Sequence, residues 1–321
     1  MRLRPGARLS ALAILVFCVG AAPLPPGDHD VALTHGGRER SYIVHVPPTT
    51  GAPLPVVLSF HGAGANGHAQ QGWVGLDRLA DQDGFLAVYP NGTGRFGRFL
   101  FWNAGTCCGY AQDNDVDDVG FTRALLDDLA TRVPVDATRV YATGMSNGAM
   151  MSYRLALEAS DRIAAIAPVG GGMLVASPHA PPRPVPVMHF HSVDDPRAIY
   201  GGGVGPLFPF FRRVRHPNIE QVVGEWARYD GCPSESRVVA TRRDGEHTAT
   251  EIVYGPCREG SEVVLWKLTG AGHVWPGADA RYPRWFLGTP TKVVDASEEM
   301  WRFFRRFTRP DAPALAPSGR D

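Results

Sequence analysis

Apolar runs and helically spaced apolar positions alternate along this chain. Val56–Phe60, Phe85–Tyr89, Ile163–Val169 and Val187–Phe190 are continuous apolar runs, the mark of strands buried on both faces of a parallel sheet. Arg40–Val46 alternates instead and reads as an edge strand closed by Pro47 and Pro48. Further strands are expected near 236–242, 249–254 and 262–268. Between these runs, Trp73, Leu76, Leu79 and Ala80 recur at helical spacing, as do Phe121, Leu125 and Leu129 within Asp117–Val133. Ile219–Tyr229 reads as a helix, and a last one starts at Asp295 with Glu298 placed as in a capping box. Residues 92–115 read as an ordered loop, 176–186 as a Pro-rich loop, and 201–217 suit no core element. The alternation predicts an α/β fold with a mostly parallel sheet and helices on both faces, in a single domain over residues 22–321. Residues 308–321 are Pro/Ala-rich and read as a frayed tail.

The N-terminus departs from this pattern. Arg2, Arg4 and Arg8 precede an apolar stretch, Leu9–Val19, too short to span a bilayer comfortably. Val19-Gly20-Ala21 then offers small residues where a signal peptidase reads, so residues 1–21 are expected to be a signal peptide cleaved after Ala21. Lipidation at Cys18 is the rival, disfavoured by the bulk of Phe17. Export leaves four cysteines, which allow three connectivities; Cys232–Cys257 with the adjacent pair Cys107–Cys108 is the expected one. No C-x-x-C spacing supports zinc, and no other metal or cofactor is expected. The chain is 20% charged with a net charge of zero, so no electrostatic pull toward nucleic acid or anionic membrane is expected. Oligomeric state is not encoded in any of these features.

Candidate chemistry centres on Arg139–Leu155. A short strand at Val140–Ala142 leads into Gly144-Met145-Ser146-Asn147-Gly148 and then into a helix carrying Ala149, Met150, Tyr153, Leu155 and Leu157. Strand, tight turn and helix around G-x-S-x-G is the context of a nucleophile elbow, with Ser146 as nucleophile. A serine hydroxyl needs a base, a group that orients the base, and donors for the oxyanion. On this kind of fold the acid and then the histidine follow the serine. Of the later histidines, His216 lies in the Pro/Arg-rich insertion and His247 in a hairpin turn. His273 follows a strand between glycines and is the expected base. Asp194 and Asp195 compete for the acid. The oxyanion donors are expected to be the N–H groups of Asn147 and of Ala63, the latter in the HGGG-like His61-Gly62-Ala63-Gly64. Trp102, Trp275 and the cluster Leu207, Phe208, Phe210, Phe211 are candidates to line an acyl cleft. Asp113, Asp115 and Asp117 read as a solvated, helix-capping turn rather than a calcium loop, and His189 and His191 as structural.

Seven blocks run in order along the chain: HGAGAN (61–66), DGFLAVYPNGT (83–93), WNAGTCCG (102–109), VDDVGF (116–121), RVYATGMSNGAMMSYRLA (139–156), FHSVDDP (190–196) and GAGHVWPG (270–277). In these the chain resembles the secreted esterases grouped with polyhydroxybutyrate depolymerases and feruloyl esterases. The resemblance implies an α/β-hydrolase fold and a Ser/Asp/His carboxylesterase, carried onto Ser146, Asp195 and His273 with Ala63 and Asn147 as oxyanion donors. The aspartate-before-proline register of similar sequences favours Asp195 over Asp194. Ser192 stands where the family usually has glycine, and the 201–217 segment is longer and more aromatic. The substrates implied are 3-hydroxyalkanoate oligoesters or, alternatively, feruloyl esters. A serine peptidase and a non-catalytic surface-binding protein are the competing classes. An added gating domain would favour the first, and a complete set of catalytic side chains opposes the second.

Overall fold

The computed structural model describes residues 23–49, 52–207, 213–279 and 284–309. The expected signal peptide with Cys18, the aromatic residues Phe208, Phe210 and Phe211, and the tail beyond Arg309 lie outside the described residues. The strands are β1 Gly27–His35, β2 Arg38–Val46, β3 Leu54–Phe60, β4 Leu86–Pro90, β5 Val135–Met145, β6 Ala165–Val169, β7 Val187–Ser192, β8 Gly203–Val204, β9 Arg215–His216, β10 Arg237–Asp244, β11 His247–Tyr254 and β12 Val263–Thr269. The helices are α1 Gly67–Val74, α2 Leu76–Asp83, α3 Gly109–Asp113, α4 Asp118–Ala130, α5 Asn147–Glu158, α6 Ile219–Tyr229, α7 Arg284–Leu287 and α8 Ala296–Phe304.

Ten strands form one sheet in the order β1-β2-β4-β3-β5-β6-β7-β12-β11-β10. The six central strands, β4 to β12, run parallel, and both flanks are antiparallel. Successive residues of a central strand feed two separate cores. Val56, Leu58 and Phe60 pack with α4, α5 and α6 through Phe121, Leu125, Tyr153 and Trp226. Val57 faces the other way, toward Leu79 of α2 and Met300 and Phe303 of α8. Burial on both faces is why these strands have no polar alternation. The architecture is an α/β-hydrolase fold in one domain.

Two expectations need correction. β2 is not the edge strand, because β1 pairs outside it. β1 escapes a hydrophobicity reading because only Val31 of its nine residues is buried. The hairpin turn between them is Gly36-Gly37, at φ 56° and 71°, the paired positive angles that a two-residue hairpin requires. Likewise the helical stretch around Trp73–Ala80 is two helices, broken at Gly75, whose φ of 65° ends α1 and starts α2. Elsewhere Asp117 caps α4 through the Gly120 amide, and Asp295 caps α8 through the Glu298 amide.

Candidate active site

The site is assembled at the carboxyl ends of β3, β5, β7 and β12, where open α/β sheets place their ligand crevices. β5 leads directly into Ser146, whose φ of 59° and ψ of −117° are strained for a side-chain-bearing residue. The surroundings compel that turn. A Cβ on Gly144 would stand 2.6 Å from the Phe60 carbonyl oxygen. One on Gly148 would collide with the same oxygen. The Ser146 amide is held at 2.9 Å by the Val169 carbonyl. Ser146 opens into a cavity of about 500 Å³, and α5 begins directly behind it.

Ala63 and Asn147 line the same cavity. Among the described residues neither backbone N–H has a partner: Asn147 is the first residue of α5, where no intrahelical acceptor exists, and the Ala63 amide makes no bond while its neighbours Gly64 and Ala65 do. The side chain of Asn147 locks the start of α5 to the chain opposite. Its Oδ1 accepts from the Trp102 amide at 2.8 Å, and its Nδ2 donates to the Trp102 carbonyl at 3.1 Å. His61 shapes the Ala63 loop. Its Nε2 accepts from the Gly92 amide, so the proton sits on Nδ1 and is donated to the Gly62 carbonyl at 2.8 Å. Complete burial pushes this imidazole down to about 4, so it is neutral.

Asp195 and His273 meet although 78 residues apart, Nδ1 to Oδ2 at 2.7 Å. Oδ1 of Asp195 accepts from the amides of Arg197 and Ala198, at 2.7 and 2.8 Å. Burial opposes ionisation here, but His273 and these donors outweigh it and hold the carboxyl below its usual range. Asp194 is exposed and turned away, accepting instead from the Gly270 amide. Ser192 ties the two loops together: its hydroxyl donates to the Ala271 carbonyl at 2.6 Å and accepts from the Asp194 amide. His273 lines the cavity with Ser146. Gly170, at φ 62°, leaves the space beside the His273 ring that a Cβ would crowd, at 3.3 Å.

Behind Asp195 runs a buried polar chain. His191 Nε2 lies 2.7 Å from the Ala198 carbonyl, which can only accept, so Nε2 carries the proton and Nδ1 accepts. His189 Nε2 therefore donates to His191 Nδ1 at 3.0 Å, and Tyr153 donates its hydroxyl to His189 Nδ1 at 2.9 Å. Burial, with the other imidazole alongside, drives His189 far down. His191 is also lowered by burial, although Asp195 partly offsets it. Both rings are neutral and each has one tautomer.

The structure corrects the expected acyl-cleft residues. Trp102 is fully buried, edge-on to Phe60 at 5.0 Å, with Nε1 donating to the His61 carbonyl. Trp275 is buried, with Nε1 donating to Ser297. Both are core residues and neither lines the cavity, while Leu207 is exposed. The cavity's aromatic residues are Trp73 and Phe286, and Arg197 and His216 also line it. No motif marks Arg197 or His216, and His216 lies within the Pro/Arg-rich insertion. Cys107 and Cys108 line the wall as a disulfide, and Cys232 is paired with Cys257. Among the described residues, three groups able to bind a metal, Asp28, His45 and Asp77, gather on β1, β2 and α2, and none of them lines this cavity. No helix among the described residues is long and apolar enough to cross a membrane.

The family model described as esterase PHB depolymerase matches residues 40–223. "Putative esterase NocK" of Nocardia uniformis subsp. tsuyamanensis is 30% identical over 278 residues, covering 82% of this chain and 78% of that protein. Feruloyl esterase B of Piromyces equi is 28% identical over 73% of this chain and 42% of its own length. The bifunctional acetylxylan esterase/xylanase XynS20E of Neocallimastix patriciarum is 28% identical over 76% of this chain and 32% of its length. The chain thus spans less than half of these last two relatives. Among solved structures, the acetyl xylan esterase from Aspergillus awamori superposes with a TM-score of 0.54 at 14% identity, over 87% of this chain and 99% of that one. That likeness reports the fold alone. With the family model covering more than half of its length, the chain belongs to the esterase family of the polyhydroxybutyrate depolymerases.

Proposed function

We propose that this protein is an exported serine carboxylesterase that hydrolyses 3-hydroxyalkanoate oligoesters. One observation carries the reading: Ser146 opens into a cavity shared with two backbone N–H groups that have no partner among the described residues, and with a histidine already bonded to a buried carboxylate. In the reaction, Ser146 Oγ attacks the ester carbonyl while His273 Nε2 takes its proton. The carbonyl π electrons move to oxygen, where the Ala63 and Asn147 N–H groups receive the negative charge. Collapse of this intermediate breaks the bond to the alcohol oxygen, which leaves with the proton from His273. Water then repeats the sequence on the acyl-enzyme and releases the acid. Asp195 stays ionised, fixing the His273 tautomer and stabilising the imidazolium.

Feruloyl ester hydrolysis is the second reading, favoured by the name of the Piromyces relative and by Trp73 and Phe286 in the cavity wall. Export through residues 1–21 rests on the sequence and fits a chain with two cysteine pairs. N-terminal sequencing tests it, and a chain starting at a modified Cys18 would refute it. To test function, the protein and its Ser146→Ala variant are incubated with soluble 3-hydroxybutyrate oligomers and with methyl ferulate, following acid release. Oligomer cleavage lost in the variant supports the first reading, and ferulate release supports the second. Activity on neither overturns both.

A further inference from the structure

Among the described residues Arg197 brings the one permanent positive charge to a wall whose other polar side chains, Asn66, Ser146, Asn147, His216 and His273, include no carboxylate. Two contacts fix its side chain and a third fixes its backbone. The guanidinium carbon stacks 3.6 Å above the centre of the Phe286 ring, Nε donates to the Phe286 carbonyl at 2.7 Å, and the backbone amide is bonded to Asp195. Stacking sets the plane of the guanidinium, and the Nε bond sets its rotation. One of its five donors is thereby used, and the four on Nη1 and Nη2 have no acceptor in the protein among the described residues. An arginine held in this way offers a preformed fork of the geometry a carboxylate accepts. Beside it, His216 packs against Gly205, where a Cβ would stand 2.7 Å from Nε2, and presents an imidazole to the same cavity. Burial pushes His216 down to about 4, so it can hydrogen-bond there but adds no second charge.

We infer that Arg197, with His216 beside it, is a carboxylate subsite, and that the preferred substrates are esters bearing a free carboxylate on the same small molecule as the scissile bond. The inference rests on the esterase reading and sharpens it. It favours acids such as the free end of a short oligoester over neutral esters of the same shape. A cavity of about 500 Å³ suits molecules of that size.

The test compares the linear dimer of 3-hydroxybutyrate as the free acid with its carboxamide, which has the same shape and no charge. Hydrolysis of 4-nitrophenyl butyrate, lost in Ser146→Ala, checks the esterase reading separately. The expected acid-to-amide ratio of kcat/KM is about tenfold or more, the range of a charge-assisted bidentate pair. In Arg197→Gln the ratio should collapse toward one, and in Arg197→Lys it should fall between the two. Because each ratio is internal to one protein, a general loss of activity or folding cancels. Calorimetry with the Ser146→Ala protein measures the same preference in binding, with no need for turnover. A ratio near one in the unaltered protein, or a ratio that survives Arg197→Gln, would overturn the inference. Loss of 4-nitrophenyl butyrate hydrolysis together with a binding ratio of tenfold would overturn the esterase reading and leave the subsite standing.

Discussion

Replacing Asp195 by asparagine tests the catalytic arrangement most directly. The carboxylate receives three N–H groups, two from the Arg197 and Ala198 amides on Oδ1 and one from His273 Nδ1 on Oδ2. An amide can keep its oxygen on the first two, which puts its NH₂ opposite His273. Nδ1 must then accept, and the ring proton moves to Nε2, the atom that should receive the serine proton. The base is present but in the wrong tautomer. The expected loss in kcat is about 10⁴-fold, equivalent to about 5 kcal/mol of barrier. Two of the three bonds survive and the third re-forms in the opposite sense without its charge, so the fold should lose only about 1–2 kcal/mol, a few degrees in Tm for a domain of this size. The assay is 4-nitrophenyl butyrate hydrolysis and a thermal melt, with Asp194→Asn beside it. Asp194 holds only the Gly270 amide at an exposed position, so its variant should stay within about threefold. If Asp195→Asn kept a tenth of the activity while Asp194→Asn lost it, the assignment of the acid would be wrong.

Three further outcomes follow from contacts away from the nucleophile. His61→Leu removes the imidazole that spans the Gly62 carbonyl and Gly92 amide. It should lower kcat by roughly 10- to 100-fold through the displaced Ala63 donor, with KM little altered, as steady-state kinetics would report. Asp230 is buried, and burial raises its carboxyl to about 7 despite bonds to Ser261 and the Val185 amide. The folded state therefore holds a proton that the unfolded chain releases near pH 4, so stability falls as pH rises from there to about 7. Asp230→Asn can keep both bonds without the charge, and melts should show it gaining on the parent at pH 8 relative to pH 5. Replacing Cys232 and Cys257 by serine opens a loop of 25 residues and should cost about 3–4 kcal/mol by denaturant titration. A cost under 1 kcal/mol would mean the unfolded chain is constrained by something else.

What could be read from the sequence divides along a physical line. Central strands were legible because burial on both faces leaves unbroken apolar runs, and the elbow because a strained turn between packed backbones admits only small neighbours. β1 was not, since it buries a single side chain, and hairpin pairing rather than hydrophobicity makes it a strand. The tryptophans misled for a related reason. Trp102 and Trp275 sit within site-forming blocks, and nothing in a sequence separates a ring beneath a catalytic loop from one above it. The pairing of Asp195 with His273 was legible as residue types but not as a tautomer or distance, and that of Tyr153 with His189 was not legible, because nothing in the sequence brings that helix to that strand. Arg197 and His216 carry no motif, because a substrate-facing group depends on where a loop ends. Ser192 was visible only as a departure from family habit, and its bonds to Ala271 and Asp194 supply the reason.

The line of hydrogen bonds from Tyr153 through His189 and His191 to the Ala198 carbonyl has a mechanical consequence. Tyr153 belongs to α5, the helix that starts at the nucleophile, and Ala198 belongs to the loop that holds the acid. Each donor in the line has one acceptor, so no ring can rotate without leaving a buried group bare. Serine turn and aspartate loop are thus geared to each other through the interior. Heat or denaturant should then extinguish activity in one step with the melting of α5, leaving no slack, half-working enzyme in between.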